Sequence, residues 1–64
     1  MQKMTLKALR VNKGLTIKEA SKKLDIREET LSNYENSKTF PDVRMISKME
    51  KLYGVNYNDI IFLN

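Results

Sequence analysis

Between residues 28 and 33, Glu28, Glu29, Ser32 and Asn33 carry side chains suited to hydrogen bonding. A carboxamide such as that of Asn33 can pair bidentately with adenine N6 and N7, and a hydroxyl such as that of Ser32 can donate or accept. A carboxylate can accept from cytosine N4, but phosphates repel it unless that bond forms. Two acids in a first helical turn also have a plain structural use, since they suit the helix dipole by about 0.3–1 kcal/mol each. Glu29 points most squarely away from the apolar side. At about 100° per residue, Leu31 and Tyr34 fall on one side of a helix and the four polar residues on the other. A helix held by its neighbours, with short hydrogen-bonding groups turned outward, is shaped to enter a DNA major groove.

The elements that would hold such a helix can be followed along the chain. Thr16 and Glu19 have capping-box spacing at the start of a helix over Ile17–Leu24, with Ala20 and Leu24 inward. Asp25 makes the turn and Ile26 returns to the core before the third helix, about Glu28 to Tyr34 or Glu35. Ahead of these, a first helix covers about Thr5–Lys13, with Leu6, Leu9 and Arg10 on one side and Gly14 ending it. A polar loop, Asn36-Ser37-Lys38-Thr39-Phe40-Pro41, precedes a fourth helix over Val43–Tyr53, capped by Asp42 and ended by Gly54. Its apolar residues Ile46, Met49 and Tyr53 recur at helical spacing. Asn56 and Asp59 then predict a fifth helix over Tyr57–Ile61. The expected fold is an all-α, compact five-helix bundle comprising one domain over residues 1–64.

Composition narrows the function. Sixty-four residues place the chain near the size at which a single core is marginal, and without cysteine there is no disulfide or thiolate–zinc staple. Twelve Lys and Arg against eight Asp and Glu give a net charge of +4, which favours polyanionic partners. With no histidine, no cysteine and no glycine-rich phosphate loop, the chain carries no catalytic constellation. No cofactor, metal or small-molecule ligand is expected. No apolar run approaches the roughly 20 residues that span a bilayer, and no signal peptide is evident. A cytoplasmic, nucleoid-associated location in a bacterial cell is the expectation.

The series Leu15-Thr16, Glu19-Ala20, Leu24, Ile26, Thr30-Leu31-Ser32, Tyr34-Glu35, Lys38 and Pro41 resembles the helix-turn-helix of the Cro and phage-repressor family. The second half, from Phe40-Pro41-Asp42 through Tyr53-Gly54-Val55 to Asp59-Ile60-Ile61, follows the same pattern. The resemblance covers about Thr5 to Ile61. It implies a lambda-repressor-like domain that binds double-stranded operator DNA, usually as a dimer on two related half-sites, with the third helix in the major groove. Three positions depart from the family: Asp25 replaces a turn glycine, Ser21 a helix-2 alanine, and Arg27 a Ser or Thr cap worth about 1 kcal/mol. Arg27 thereby becomes a long cation at the groove edge and joins the base-contact candidates.

Backbone contacts are expected from Thr16 and Lys18 at the start of the second helix, and from Asn36, Lys38, Thr39 and Arg44. For Asn36 and Lys38 this rests on the family's loop running along the sugar-phosphate backbone. In proteins of this kind an arginine and a glutamate at the positions of Arg10 and Glu35 form a partly buried ion pair, a structural role. The apolar tail Ile60-Ile61-Phe62-Leu63 divides between the monomer's own core, through Ile60 and Leu63, and a weak dimer contact through Tyr57 and Phe62 that DNA strengthens. The protein expected is a Cro-like prophage or mobile-element regulator, most simply a repressor that occludes a promoter, in a chain that ends where a complete regulator would. The rival is a protein-interaction module, an antitoxin or antirepressor using the same scaffold.

Overall fold

The computed structural model describes residues 3–62. In chain order the elements are β1 (Met4–Thr5), α1 (Leu6–Asn12), α2 (Ile17–Leu24), α3 (Glu28–Glu35), α4 (Val43–Tyr53), one 3-10 turn (Tyr57–Asp59) and β2 (Ile60–Ile61). Side chains start three of the four helices. The Thr5 hydroxyl accepts from Ala8 N–H at 3.1 Å, that of Thr16 from Glu19 N–H at 3.1 Å, and Asp42 Oδ1 from Met45 N–H at 2.8 Å. Each of these bonds satisfies a donor that the first turn leaves without an intrahelical partner. Only α3 begins without such a bond, at Arg27.

The four helices all stop in the same way. Gly14, Asp25, Ser37 and Gly54 take left-handed backbone angles, with φ between 60° and 72°. The next residue's N–H then turns back to a carbonyl five positions earlier: Leu15 to Arg10, Ile26 to Ser21, Lys38 to Asn33 and Val55 to Glu50, at 2.9–3.1 Å. This is the Schellman arrangement, which closes a helix and redirects the chain sharply. Glycine enters it without a Cβ penalty, whereas Asp25 and Ser37 hold it against a cost of about 1–2 kcal/mol.

The structure differs from the expected five-helix bundle. The segment read as a fifth helix, Tyr57–Ile61, is a three-residue 3-10 turn followed by two extended residues. Ile60 and Ile61 pair in parallel with Met4 and Thr5, in the register Met4↔Ile60 and Thr5↔Ile61. Among the described residues the fold therefore has four α-helices and a two-residue bridge between β1 and β2. The physical reason is length: five residues form at most one α-helical hydrogen bond, too little to offset nucleation. The β-branched pair Ile60-Ile61 gains more by extending, which buries Ile60. The Asp59 carboxylate does accept from Asn56 N–H, at 3.2 Å, but the cap closes only one tight turn.

Leu6, Leu9, Ala20, Leu24, Leu31, Met45, Met49, Tyr53 and Ile60 form the core, with Leu15, Ile17, Ile26 and Tyr34 packed against it. On α4 the buried stripe is Met45, Met49 and Tyr53, while Ile46 sits half-buried at its edge. The tightest helix pair is α2 with α3. Ala20 and Ser21 are both buried there, and the Ser21 hydroxyl donates to the Lys18 carbonyl at 3.0 Å, so the small polar residue enters the contact without an unpaired group. Leu63, read as part of the core seal, lies outside the described residues.

Candidate nucleic-acid interface

The sequence of α3 divides it into two sides, and the fold keeps them apart. Leu31 is fully buried against the core and Tyr34 packs beside it. Arg27, Glu28 and Glu29 are exposed at the start of the helix, and Ser32 and Asn33 are half-buried one turn later. The polar residues thus form one strip along α3, with the acids at its N-terminal end and the carboxamide near its C-terminal end. A hydrogen bond from Asn36 Nδ2 to Ser32 Oγ, 3.2 Å long, ties the end of the helix to its middle.

The second side is locked by charge. Arg10 Nε donates to Glu35 Oε2 at 2.8 Å and Nη2 to Glu35 Oε1 at 3.3 Å, while Nη1 reaches the Leu15 carbonyl at 2.9 Å. The two side chains are 11% and 5% exposed, so α1, the turn before α2 and the end of α3 are joined by one largely desolvated, bidentate contact. The hydrogen bond to Glu35 raises the Arg10 pKa above its ordinary value, burial opposing it. Tyr53 on α4 is drawn into the same neighbourhood. Burial, reinforced by the Glu35 charge, pushes its phenol up to about 12, and Arg10 opposes the shift. Its hydroxyl is buried with no hydrogen-bond partner among the described residues.

Cationic and amide groups flank the polar strip. Thr16 and Lys18 are exposed at the start of α2. The Thr16 backbone N–H donates to Glu19 Oε1 at 2.9 Å, and this bond, with the Thr16 hydroxyl's contribution, holds the Glu19 carboxyl below its ordinary pKa. With the backbone N–H and the hydroxyl of Thr16 engaged by Glu19, what the cap leaves for an anion is the backbone N–H groups of Ile17 and Lys18. Lys38 and Thr39 are exposed in the loop after α3, and Arg44 is exposed in the first turn of α4. Asn36, also expected at the sugar-phosphate backbone, is exposed after α3 and donates one amide hydrogen to Ser32 Oγ.

Lys22 is a cation to which sequence spacing alone assigns no role. It lines an open depression at the α2–α3 turn together with Lys18, Asp25, Arg27 and Glu28. Its position four residues after Lys18, hence on the same helical face, was the available signal. A second group was also incomplete. Tyr57 and Phe62 are in contact, ring centroids 5.7 Å apart, but Phe40 meets Phe62 edge-on at 6.3 Å, and Ile46 and Pro41 close the groove beneath. Val43, 83% exposed, extends this apolar surface along α4. Phe40, Val43 and Ile46 lie too far from Tyr57 in the chain for spacing to group them.

Among the described residues no helix is long and apolar enough to cross a membrane. A family model described as helix-turn-helix matches residues 6–60. The HTH-type transcriptional regulator ImmR of Bacillus subtilis (strain 168) is 43% identical over 51 residues, which take in 80% of this chain and 40% of that protein. The matched part thus spans 40% of that relative's length. No solved structure matches it. With α2 and α3 joined by a tight turn and α3 presenting its polar side outward, the match over residues 6–60, most of the chain, shows that this chain belongs to the helix-turn-helix family.

Proposed function

We propose that the protein regulates transcription by binding double-stranded DNA at specific sequences, with α3 in the major groove. The observation that carries this reading is the polar strip of Glu28, Glu29, Ser32 and Asn33, exposed at the two acids and half-buried at the other two, on a helix whose other side is fixed by Leu31 and the Arg10–Glu35 pair. A rigid helix makes directional base contacts selective, because a wrong base leaves a polar group unpaired. Arg27 stands at the edge of the same strip and joins it as a base or phosphate contact. Thr16, Lys18, Lys22, Lys38, Thr39 and Arg44 supply the positioning contacts to phosphate. The relative's name, a transcriptional regulator, supports the same reading.

The protein acts as a homodimer on two half-sites, joined through the apolar surface of Tyr57, Phe62, Phe40, Ile46 and Val43. Two recognition helices then meet the groove one DNA turn apart, about 34 Å. Occlusion of a promoter is the mechanism that needs the fewest parts, so repression is the proposed outcome. Selection of bound duplexes from a random pool tests the whole reading. A two-fold symmetric consensus whose affinity falls steeply with salt is expected, and failure to enrich any sequence at low ionic strength would overturn it.

A further inference from the structure

The acids of this chain divide by what they hold. Of its eight Asp and Glu residues, five accept from a donor within the fold at 2.8–3.2 Å. Glu19, Asp42, Glu50 and Asp59 take the backbone N–H groups of Thr16, Met45, Tyr57 and Asn56, and Glu35 takes Arg10. Among the described residues Asp25, Glu28 and Glu29 accept no side-chain hydrogen bond and enter no ion pair. All three are exposed, at the α2–α3 turn or in the first turn of α3. Glu28 stays unpaired although it lines the depression at that turn beside Lys18, Lys22 and Arg27. In a chain of net charge +4, the unengaged negative charge is thus gathered at the end of the helix proposed to meet a polyanion. The helix dipole favours acids there, but that interaction is screened by salt and leaves both carboxylates free for a partner.

We propose that Glu28 and Glu29 set sequence preference by exclusion: they lower affinity for DNA in general, and the loss is recovered only where a base edge offers the carboxylates amino groups. This rests on the proposed docking of α3. A carboxylate carries lone pairs and no hydrogen, so it cannot turn to suit either kind of partner, as a hydroxyl or a carboxamide can. In the major groove the amino groups are cytosine N4 and adenine N6, whereas guanine N7 and O6 and thymine O4 are acceptors. Opposite an amino group the acid makes a charge-assisted hydrogen bond. Opposite an acceptor it is desolvated between phosphates of its own sign. Phosphate contacts from Lys18, Lys38 and Arg44 attract every sequence alike. Acids that penalise the wrong ones therefore raise selectivity while lowering overall affinity.

The test compares the wild type with two variants. Glu28→Gln/Glu29→Gln keeps the side-chain shapes and removes both charges. Asp25→Asn removes a neighbouring charge that lies off the α3 strip, with a residue that tolerates the left-handed turn. Each protein is titrated with the duplex that the wild type selects from a random pool and with an unrelated duplex, and circular dichroism checks helical content. The double variant is expected to bind the unrelated duplex about 10-fold more tightly, and the selected one at most about 3-fold more tightly. A pool selected by it should lose the preference for amino-bearing bases at the positions the acids face and keep the others. Asp25→Asn should tighten both duplexes by one common factor. If the double variant loses helical content, Glu28→Gln and Glu29→Gln singly are read by the same ratio. The proposal is overturned if removing the acids shifts both duplexes equally, which is diffuse charge, or leaves the unrelated duplex bound no better. If the wild type selects no sequence at all, the failure is that of the DNA-binding reading itself.

Discussion

The exposed side of α3 carries Glu28, Glu29, Ser32 and Asn33, whereas the surface between α4 and the C-terminal turn carries Phe40, Val43, Ile46, Tyr57 and Phe62. Water satisfies the first set in the free protein, so a partner gains little there unless it returns every hydrogen bond in the right direction. Such a face discriminates. Covering the second set is favourable in proportion to area, whatever the orientation of the covering group. That face suits association. The two also differ in how they are held. The α3 strip stands on a buried leucine, a bidentate ion pair and a helix closed at its C-terminal end. The apolar surface is assembled from a loop, one edge of α4 and a single 3-10 turn. In a small domain, rigidity is concentrated where direction matters.

The largest test of this contrast removes the lock beneath α3. Glu35→Ala leaves Arg10 charged and nearly desolvated, and thermal or urea unfolding should show a loss of about 3–5 kcal/mol. Arg10→Met, which fills the same space without a charge, should lose less; equal losses would mean that the pair is not effectively buried. A smaller effect is expected at alkaline pH. Because the folded-state pKa of Tyr53 is raised to about 12, folding stability should be level below about pH 10 and fall as pH rises through 12. In Tyr53→Phe that decline should flatten, with neutral-pH stability unchanged or raised, since the phenol hydroxyl has no partner to lose.

On the apolar side, Val43→Lys places a charge on the most open part of the surface. Sedimentation should show self-association weakened by about tenfold or more, while monomer stability moves by no more than about 0.5 kcal/mol. Unchanged association would remove this face from the dimer. Smallest of all, Ser37→Gly should stabilise the fold by up to about 1 kcal/mol, because it relieves the left-handed strain after α3 and costs some backbone entropy in return. Asp25→Gly should gain less, aspartate tolerating that conformation better than serine. A loss in either variant would mean that the side chain, not the backbone, closes the helix.

Much of the scaffold was legible because its signals are local. The capping box at Thr16 and Glu19, the Asp42 cap and the glycine stops at 14 and 54 each involve residues within one helical turn. The division of α3 into Leu31 and Tyr34 against Glu28, Glu29, Ser32 and Asn33 follows from helical periodicity alone. The left-handed turn at Ser37 was not legible, since serine carries no preference for it; the reading placed only a polar loop there. Nor was the fate of Ile60 and Ile61. Their extended form depends on Met4 and Thr5, more than fifty residues earlier, being close enough to pair. The apolar surface was half found, through Tyr57 and Phe62, because its other members come from the loop and from α4.

By itself, the sequence determined where helices begin, where most of them end and which face of each is polar, since those choices are made within a few residues by caps, periodicity and conformational preference. Tertiary structure decided the rest: that the chain's two ends pair as strands instead of forming a fifth helix, that Tyr53 shares the surroundings of the Arg10–Glu35 pair, and that Phe40 meets Phe62. These depend on contacts between distant segments. Their free energy appears only once the core has brought the segments together, so no local pattern encodes them.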